Sequence, residues 1–280
     1  MKEIIIDTVV DSLKLIPFLF IAFLIIELCE HKFSNKHQKI MSKSGKLGPI
    51  IAALLGALPQ CGFSVMATNL YVTRIITLGT LVSVYLSTSD EMLPILISEN
   101  VDAIIIFKLI GMKVLLGMFY GLLIDFVLRK RSKNKEDFEL CQDEKCDCEH
   151  HLLRSVISHT FKTLFFIFLV TIVLNTLFHY FGTEFLDETI TSNGLVSPLI
   201  ASLLGLIPNC AGSIMLTELY IKGVLSAGST IAGLLTGSGV GLLVLFKQNK
   251  NLKENIIILI LLYVLGALSG IIINLFGIVI

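Results

Sequence analysis

Charge is what this 280-residue sequence has least of: Asp, Glu, Lys and Arg make up 16%, and 22 basic residues cancel 22 acidic ones. Ordinary soluble domains carry about 25% charged residues, so the chain is short of the groups that keep a surface in water. A zero net charge, with no basic stripe and no aromatic platform for stacking bases, sets aside nucleic acid as a partner. The sequence has no Gly-x-x-x-x-Gly-Lys-Ser/Thr loop and no ATPase phosphorylation motif, so nothing in it couples to nucleotide hydrolysis. Cys-x-x-Cys is also missing. The six cysteines fall in apolar runs and in one polar loop, unlike a secreted disulfide framework. No small-residue cleavage site follows the first apolar run, which is too long for a signal-peptide core and reads as a retained span.

What fills the space is hydrophobic: 54% of residues, with a mean hydropathy of +0.85. These residues gather in runs from Ile4 to Leu28, Ile75 to Ile97, Val101 to Leu128, Val156 to Phe181, Val224 to Phe246 and Ile256 to Ile280. Each approaches or exceeds the roughly 20 residues that cross a bilayer as helix. The sequence therefore predicts an all-α integral membrane protein, multi-pass, in the cell (plasma) membrane.

A shift of 149 positions lays the chain on itself, taking Pro49 to Pro198, Gly56 to Gly205, Pro59 to Pro208, Cys61 to Cys210, Ser64 to Ser213 and Tyr71 to Tyr220. Thirteen of the 24 positions from Pro49 to Val72 are identical under it. It also pairs Gly79 with Gly228, Ser89 with Ser238, and the small-residue motif Gly117, Gly121 with Gly266, Gly270. One ungapped register over most of each half implies duplication. Residues 1–128 are then the first membrane repeat, 129–153 a linker and 154–280 the second repeat.

Short loops rich in Lys and Arg stay cytoplasmic. That rule puts Lys32 to Lys46, Arg129 to Lys135 and Lys247 to Lys253 inside, and the loops around Glu99 and Glu184 outside. A simple crossing between Pro49 and Val72 would put the Arg129 cluster on the wrong side. The segment should therefore enter and leave by one face, turning at Pro59, with arms about half a bilayer long. Three spanning helices and one re-entrant hairpin per half make two inverted-topology repeats, with both termini on the outer face. Counting hairpin arms gives about ten transmembrane segments.

Backbone exposed at that depth is tolerated only where it is buried in protein or lines a cavity. The hairpin tips thus imply a site, offering Pro59, Gln60, Cys61 and Ser64 from one half and Pro208, Asn209, Cys210 and Ser213 from the other. Paired thiols suit a soft metal or arsenic(III); amides and carbonyls suit a harder ion such as manganese(II). Asp90 and Glu91, deep in the second run, are the best hard ligands; the equivalent stretch, Thr236 to Gly241, keeps hydroxyls and glycines but loses both acids. Lys113 is placed to pair with either acid, as a structural ion pair or a competitor for the cation, and Glu218 stands as a gate or a cap. The linker carries Cys141, Cys146, Cys148, His150 and His151, a possible cytoplasmic metal tract without zinc-finger spacing.

The paired Pro-Gln-Cys-Gly-Phe-Ser and Pro-Asn-Cys-Ala-Gly-Ser segments, with a Cys/His-bearing loop between the halves, resemble the ten-helix heavy-metal exporter family. Its members are described as arsenic efflux proteins and as manganese transporters. The resemblance implies export of a metal or metalloid, and carries that role onto Pro59, Gln60, Cys61, Pro208, Asn209 and Cys210. The reading is a secondary transporter for a heavy-metal cation, manganese(II) favoured, through a midplane site between the two tips. It predicts no enzyme activity, no catalytic residues and no cofactor; the partners are the metal or metalloid ion, the bilayer and a possible second copy of the chain. Alternatives are an arsenic(III) or thiophilic-metal efflux permease, a membrane thiol oxidoreductase using Cys61 and Cys210, and a channel or metal sensor.

Overall fold

The computed structural model describes residues 47–58, 62–89, 92–129, 196–208 and 210–277, with Ile16, Pro17, Phe20, Ile21, Leu24, Ile157, Thr160, Phe161, Leu164, Phe165, Phe168, Leu169 and Ile172 besides; of Cys210 and Ala211 it describes the backbone alone. The expected linker, and the greater part of the first run and of the run from Val156, lie outside these residues.

The first half contributes α1 (Gly48–Gly56), α2 (Gly62–Val72), α3 (Leu78–Ser87), α4 (Met92–Ser98) and α5 (Ala103–Arg129). The second contributes α6 (Ser197–Gly205), α7 (Cys210–Ile221), α8 (Ala227–Thr236), α9 (Gly241–Gln248) and α10 (Leu252–Leu275). The helices α1, α3, α4 and α5 begin 149 residues before α6, α8, α9 and α10 respectively, so the sequence repeat is also a repeat of helix starts. Proline stands in the first turn of both α1 and α6, where its missing N–H costs nothing.

Among the described residues, three segments are long and apolar enough to cross a membrane: Ala103–Leu128, Ala227–Gln248 and Leu252–Leu275. The first and third expose large apolar side chains such as Phe107, Phe126, Ile257 and Leu275, as a lipid-facing wall does. By contrast α3 is buried from Gly79 to Ser87 and α8 from Gly228 to Thr236. Each half is thus an inner helix (α3 or α8) packed between a long outer one (α5 or α10) and a short one (α1 or α6).

Small residues let these helices approach. A Cβ on Gly79 would sit 2.2 Å from the Gly121 carbonyl oxygen, and one on Gly228 would sit 2.6 Å from that of Gly270. The small-residue motifs therefore pack within the chain. Each inner helix is also capped from its long neighbour. Thr77 accepts from the Thr80 N–H (3.2 Å) and donates to Asp125 (2.6 Å), whose second oxygen takes the Gly79 N–H (2.9 Å). In the other half Ser226 accepts from the Ser229 N–H and donates to Asn274, the residue equivalent to Asp125.

Across the halves, α2 packs on α9, α7 packs on α4, and α3 meets α8. Under the 149 shift the contact of α2 with α9 is the counterpart of that of α7 with α4. Tyr120 and Ser269, equivalent under the 149 shift, are hydrogen-bonded to each other at 2.9 Å. At one face a clasp joins the halves. Arg74 holds Glu254 of α10 through two nitrogens at 2.8 and 2.9 Å, its guanidinium lies 5.2 Å from the Tyr71 ring centre, and Tyr71 also bonds Glu254. Arg74 adopts a left-handed φ of 62° to end α2; the equivalent Gly223 ends α7 at 72°.

One expectation needs correction. The runs from Ile75 and from Val224 are not continuous spanning helices: each is two helices, α3 then α4 and α8 then α9, with residues 88–91 and 237–240 between them. Hydropathy is blind to the interruption because Leu, Ile and Val continue on both sides of it.

Two stability measurements follow, read as unfolding midpoints of purified protein in detergent. Gly79→Ala should destabilise by about 1–3 kcal/mol through overpacking, whereas Gly111→Ala, facing open space, should be neutral or slightly stabilising. At the left-handed position Arg74→Gly should cost about 1 kcal/mol less than Arg74→Ala; the opposite ranking would show that φ strain is not what Glu254 offsets.

Candidate functional site

The two interruptions face one cavity. Thr88 and Ser89 line it from the first break, Gly237 and Gly239 from the second, Ser213 from α7 and Lys113 from α5. Local chemistry makes the breaks affordable at depth. The Thr88 hydroxyl and N–H both donate to the Val84 carbonyl (2.7 and 2.9 Å), and Ser87 donates to Ser83 (2.8 Å), so the hydroxyls at the end of α3 are satisfied by the helix's own carbonyls. In α8 Thr236 reaches the carbonyls of Ser202 (2.8 Å) and Gly233 (2.9 Å), while Gly239 turns the chain at a φ of 56°. Ser238, at the centre of that second break, is buried with its hydroxyl unsatisfied.

The cavity has a counterpart that is filled. Under the 149 shift, Ser213, Leu234 and Met92, all of which line the cavity, correspond to Ser64, Tyr85 and Gly241. There the Tyr85 hydroxyl lies 2.6 Å from Thr68 Oγ1, which is also within reach of the carbonyls of Ser64 (2.7 Å) and Gly241 (3.1 Å). Gly241 admits the tyrosine ring: a Cβ would come 2.9 Å from it. Leucine and methionine replace the ring and the glycine in the other half, and space is left.

Of the residues singled out in the sequence, Ser213 and Lys113 line the cavity and Ser64 packs at its filled counterpart. Lys113 is 1% exposed, and its ammonium donates to the carbonyl of Thr88. Pro208 is half-buried just before the start of α7, and Cys210 is the first residue of that helix. Glu218 lines no part of the cavity; it is half exposed, 3.7 Å from Lys222 one turn on. Its equivalent Asn69 is fully buried with neither amide atom hydrogen-bonded. Pro59, Gln60, Cys61, Asp90, Glu91, Asn209, Cys141, Cys146, Cys148, His150 and His151 lie outside the described residues. Asp90 and Glu91 are nonetheless bracketed in the chain by Ser89 and Met92, both of which line the cavity. Among the described residues no three His, Cys, Asp or Glu side chains gather as a metal cluster.

Sequence reasoning passed over Met92, Leu234 and the Tyr85 plug. The signal was available in the same alignment, which sets Tyr85 against Leu234 and Lys113 against Leu262.

Broken helices around a cavity, in a chain with segments long enough to span lipid, are the build of a transporter. The profile of a family described as "Putative, 10TM heavy-metal exporter" matches residues 1–187 and residues 171–278. The chain belongs to this family. No curated protein and no solved structure matches it. Membership of the heavy-metal exporter family agrees with the resemblance carried by the paired proline-cysteine segments, and with a multi-pass membrane protein whose substrate is a metal ion.

If the cavity serves transport, filling it as its counterpart is filled should stop transport without unfolding the protein. Leu234→Tyr is expected to abolish metal tolerance conferred on sensitive cells while the purified protein stays monodisperse with a near-unchanged unfolding midpoint. Full tolerance with Leu234→Tyr would show that the path runs elsewhere.

Proposed function

We propose that this protein is a secondary exporter of a heavy-metal cation, with manganese(II) the favoured cargo, working in the plasma membrane with both termini outside. The observation that carries the reading is that both helix breaks open on one cavity. Half-helix ends and unwound carbonyls are how discontinuous transporter helices hold cations. Asp90 and Glu91 follow directly on Thr88 and Ser89 and supply the hard, anionic oxygens that manganese prefers. The hydroxyls of Ser64 and Ser213 and the tip residues Pro59, Gln60, Cys61, Pro208, Asn209 and Cys210 complete the path.

The reciprocal contacts between halves support inverted repeats, α1–α2 and α6–α7 being the re-entrant hairpins that enter from opposite faces. Arg74 beside Glu254 supports the same topology, since it sets the end of the first hairpin at the face where the Lys247 to Lys253 loop lies. The cytoplasmic linker with Cys141, Cys146, Cys148, His150 and His151 would then gather metal on the side from which it is exported.

A second reading, an arsenic(III) or thiophilic-metal permease, is favoured by Cys210 opening the helix that brings Ser213 to the cavity. Retained manganese, zinc, arsenic and mercury in a deletion strain, with and without the gene restored, separates the two. Manganese export predicts that Asp90→Asn returns retained manganese to the deletion level while Cys61→Ala has a smaller effect; the thiophilic reading predicts the reverse for arsenite. Unchanged content of all four would remove the exporter reading, and obligatory redox cycling of Cys61 and Cys210 would favour an oxidoreductase.

A further inference from the structure

Lys113 is the most unusual side chain in the described part of the fold. It lies near the middle of α5, which is otherwise a lipid-facing spanning helix, and it is buried. An ammonium at that depth is costly and is retained for function more often than not. It is not spent on a surface. It reaches inward to the cavity, and its Nζ donates to the carbonyl of Thr88, at the broken C-terminal end of α3.

A helix C-terminus carries partial negative charge and presents carbonyl oxygens with no intrahelical partner. At a break inside a membrane protein, that is where a bound cation is coordinated. The ammonium therefore stands where a cation ligated by α3 would stand. The second half lacks the device. The position equivalent to Lys113 is Leu262, fully buried, and the end of α8 is formed by Gly237 and by Ser238, whose hydroxyl has no hydrogen-bond partner. One break is thus occupied by a charge of the protein's own, and among the described residues no charged side chain stands at the other.

We propose that Lys113 is the resident cation of this cavity, a tethered charge at the end of α3 that metal cargo must displace in order to bind and that helps expel the cargo when it returns. The inference rests on the exporter reading above and deepens it. It makes Lys113 a residue that sets affinity and release, and it requires no chemistry beyond charge. A purely structural strut between α5 and the broken helix predicts something different: neutralising Lys113 would loosen the fold and weaken metal binding, or leave it unchanged.

The test compares wild type, Lys113→Gln and Lys113→Arg as full-length protein in nanodiscs, by calorimetric titration with manganese(II) and, separately, with arsenite. Glutamine keeps a donor for the Thr88 carbonyl and removes the charge; arginine keeps the charge. Lys113→Gln should bind manganese(II) at least about tenfold more tightly than wild type, since a unit charge repelling a divalent ion across a cavity is a large effect at the dielectric of a protein interior. The same variant should release it more slowly from loaded vesicles, and Lys113→Arg should behave as wild type.

Arsenite, bound as neutral As(OH)3, should be indifferent to the charge. Manganese binding to Lys113→Gln that is no tighter than to wild type, or weaker, overturns the inference while leaving the exporter reading in place. Arsenite binding with no manganese binding in any of the three overturns the inference and shifts the cargo to the metalloid. Binding of neither overturns the reading beneath it. Should Lys113→Gln fail to fold, Lys113→Leu, which installs the second half's own residue, is read in the same way.

Discussion

In lipid a backbone N–H or C=O that leaves its helix must find its partner inside the protein, and the architecture described above follows from that constraint. Two helices are broken near their middles, so both had to be inner helices, walled by α5 and α10 and by the short α1 and α6. The breaks are lined with residues that return hydrogen bonds to the chain: Ser87 and Thr88 in one half, Thr236 in the other. Helix starts obey the same rule. Thr77 and Ser226 cap the inner helices and are themselves held from the neighbouring long helix, by Asp125 and Asn274. The Ser238 hydroxyl, which has no partner among the described residues, and the Thr88 carbonyl, which takes its hydrogen bond from Lys113, are where a ligand has something to gain.

On this repeated frame the two halves differ at most buried positions of the inner helices, and several of the differences lie at the cavity. Tyr85 closes one of two equivalent spaces; Leu234 leaves the other open. A lysine occupies one break and a leucine the corresponding place behind the other. Arg74 clasps Glu254, and the equivalent positions are Gly223 and Ile105, which can form no ion pair. The frame is held in common by backbone contacts that admit little variation, such as Gly79 against Gly121 and Gly228 against Gly270. Side chains facing the cavity carry no such restriction.

Much of the fold was legible in the sequence because its signals are periodic or repeated. The spans show in hydropathy, the duplication in a register of 149, and the close packing in Gly117, Gly121, Gly266 and Gly270. The hairpin tip points to Ser213 and depth in an apolar run points to Lys113, and both line the cavity. The sequence does not show the helix breaks as breaks, since Thr88 and Ser89 are tolerated inside helices; it is the backbone of Thr88, at a ψ of 127°, that takes the chain out of α3. The Tyr85 plug was illegible for another reason: its partners, Thr68 and Gly241, are brought to it by the packing of α2 against α9, a contact between halves that no local pattern encodes.

Tyr120 and Ser269 hold equivalent places in the two halves and meet each other. Were both halves copies of the first, tyrosine would face tyrosine there; were both copies of the second, serine would face serine. Carried on one chain, the two places are free to differ, and they set a large phenol against a small hydroxyl.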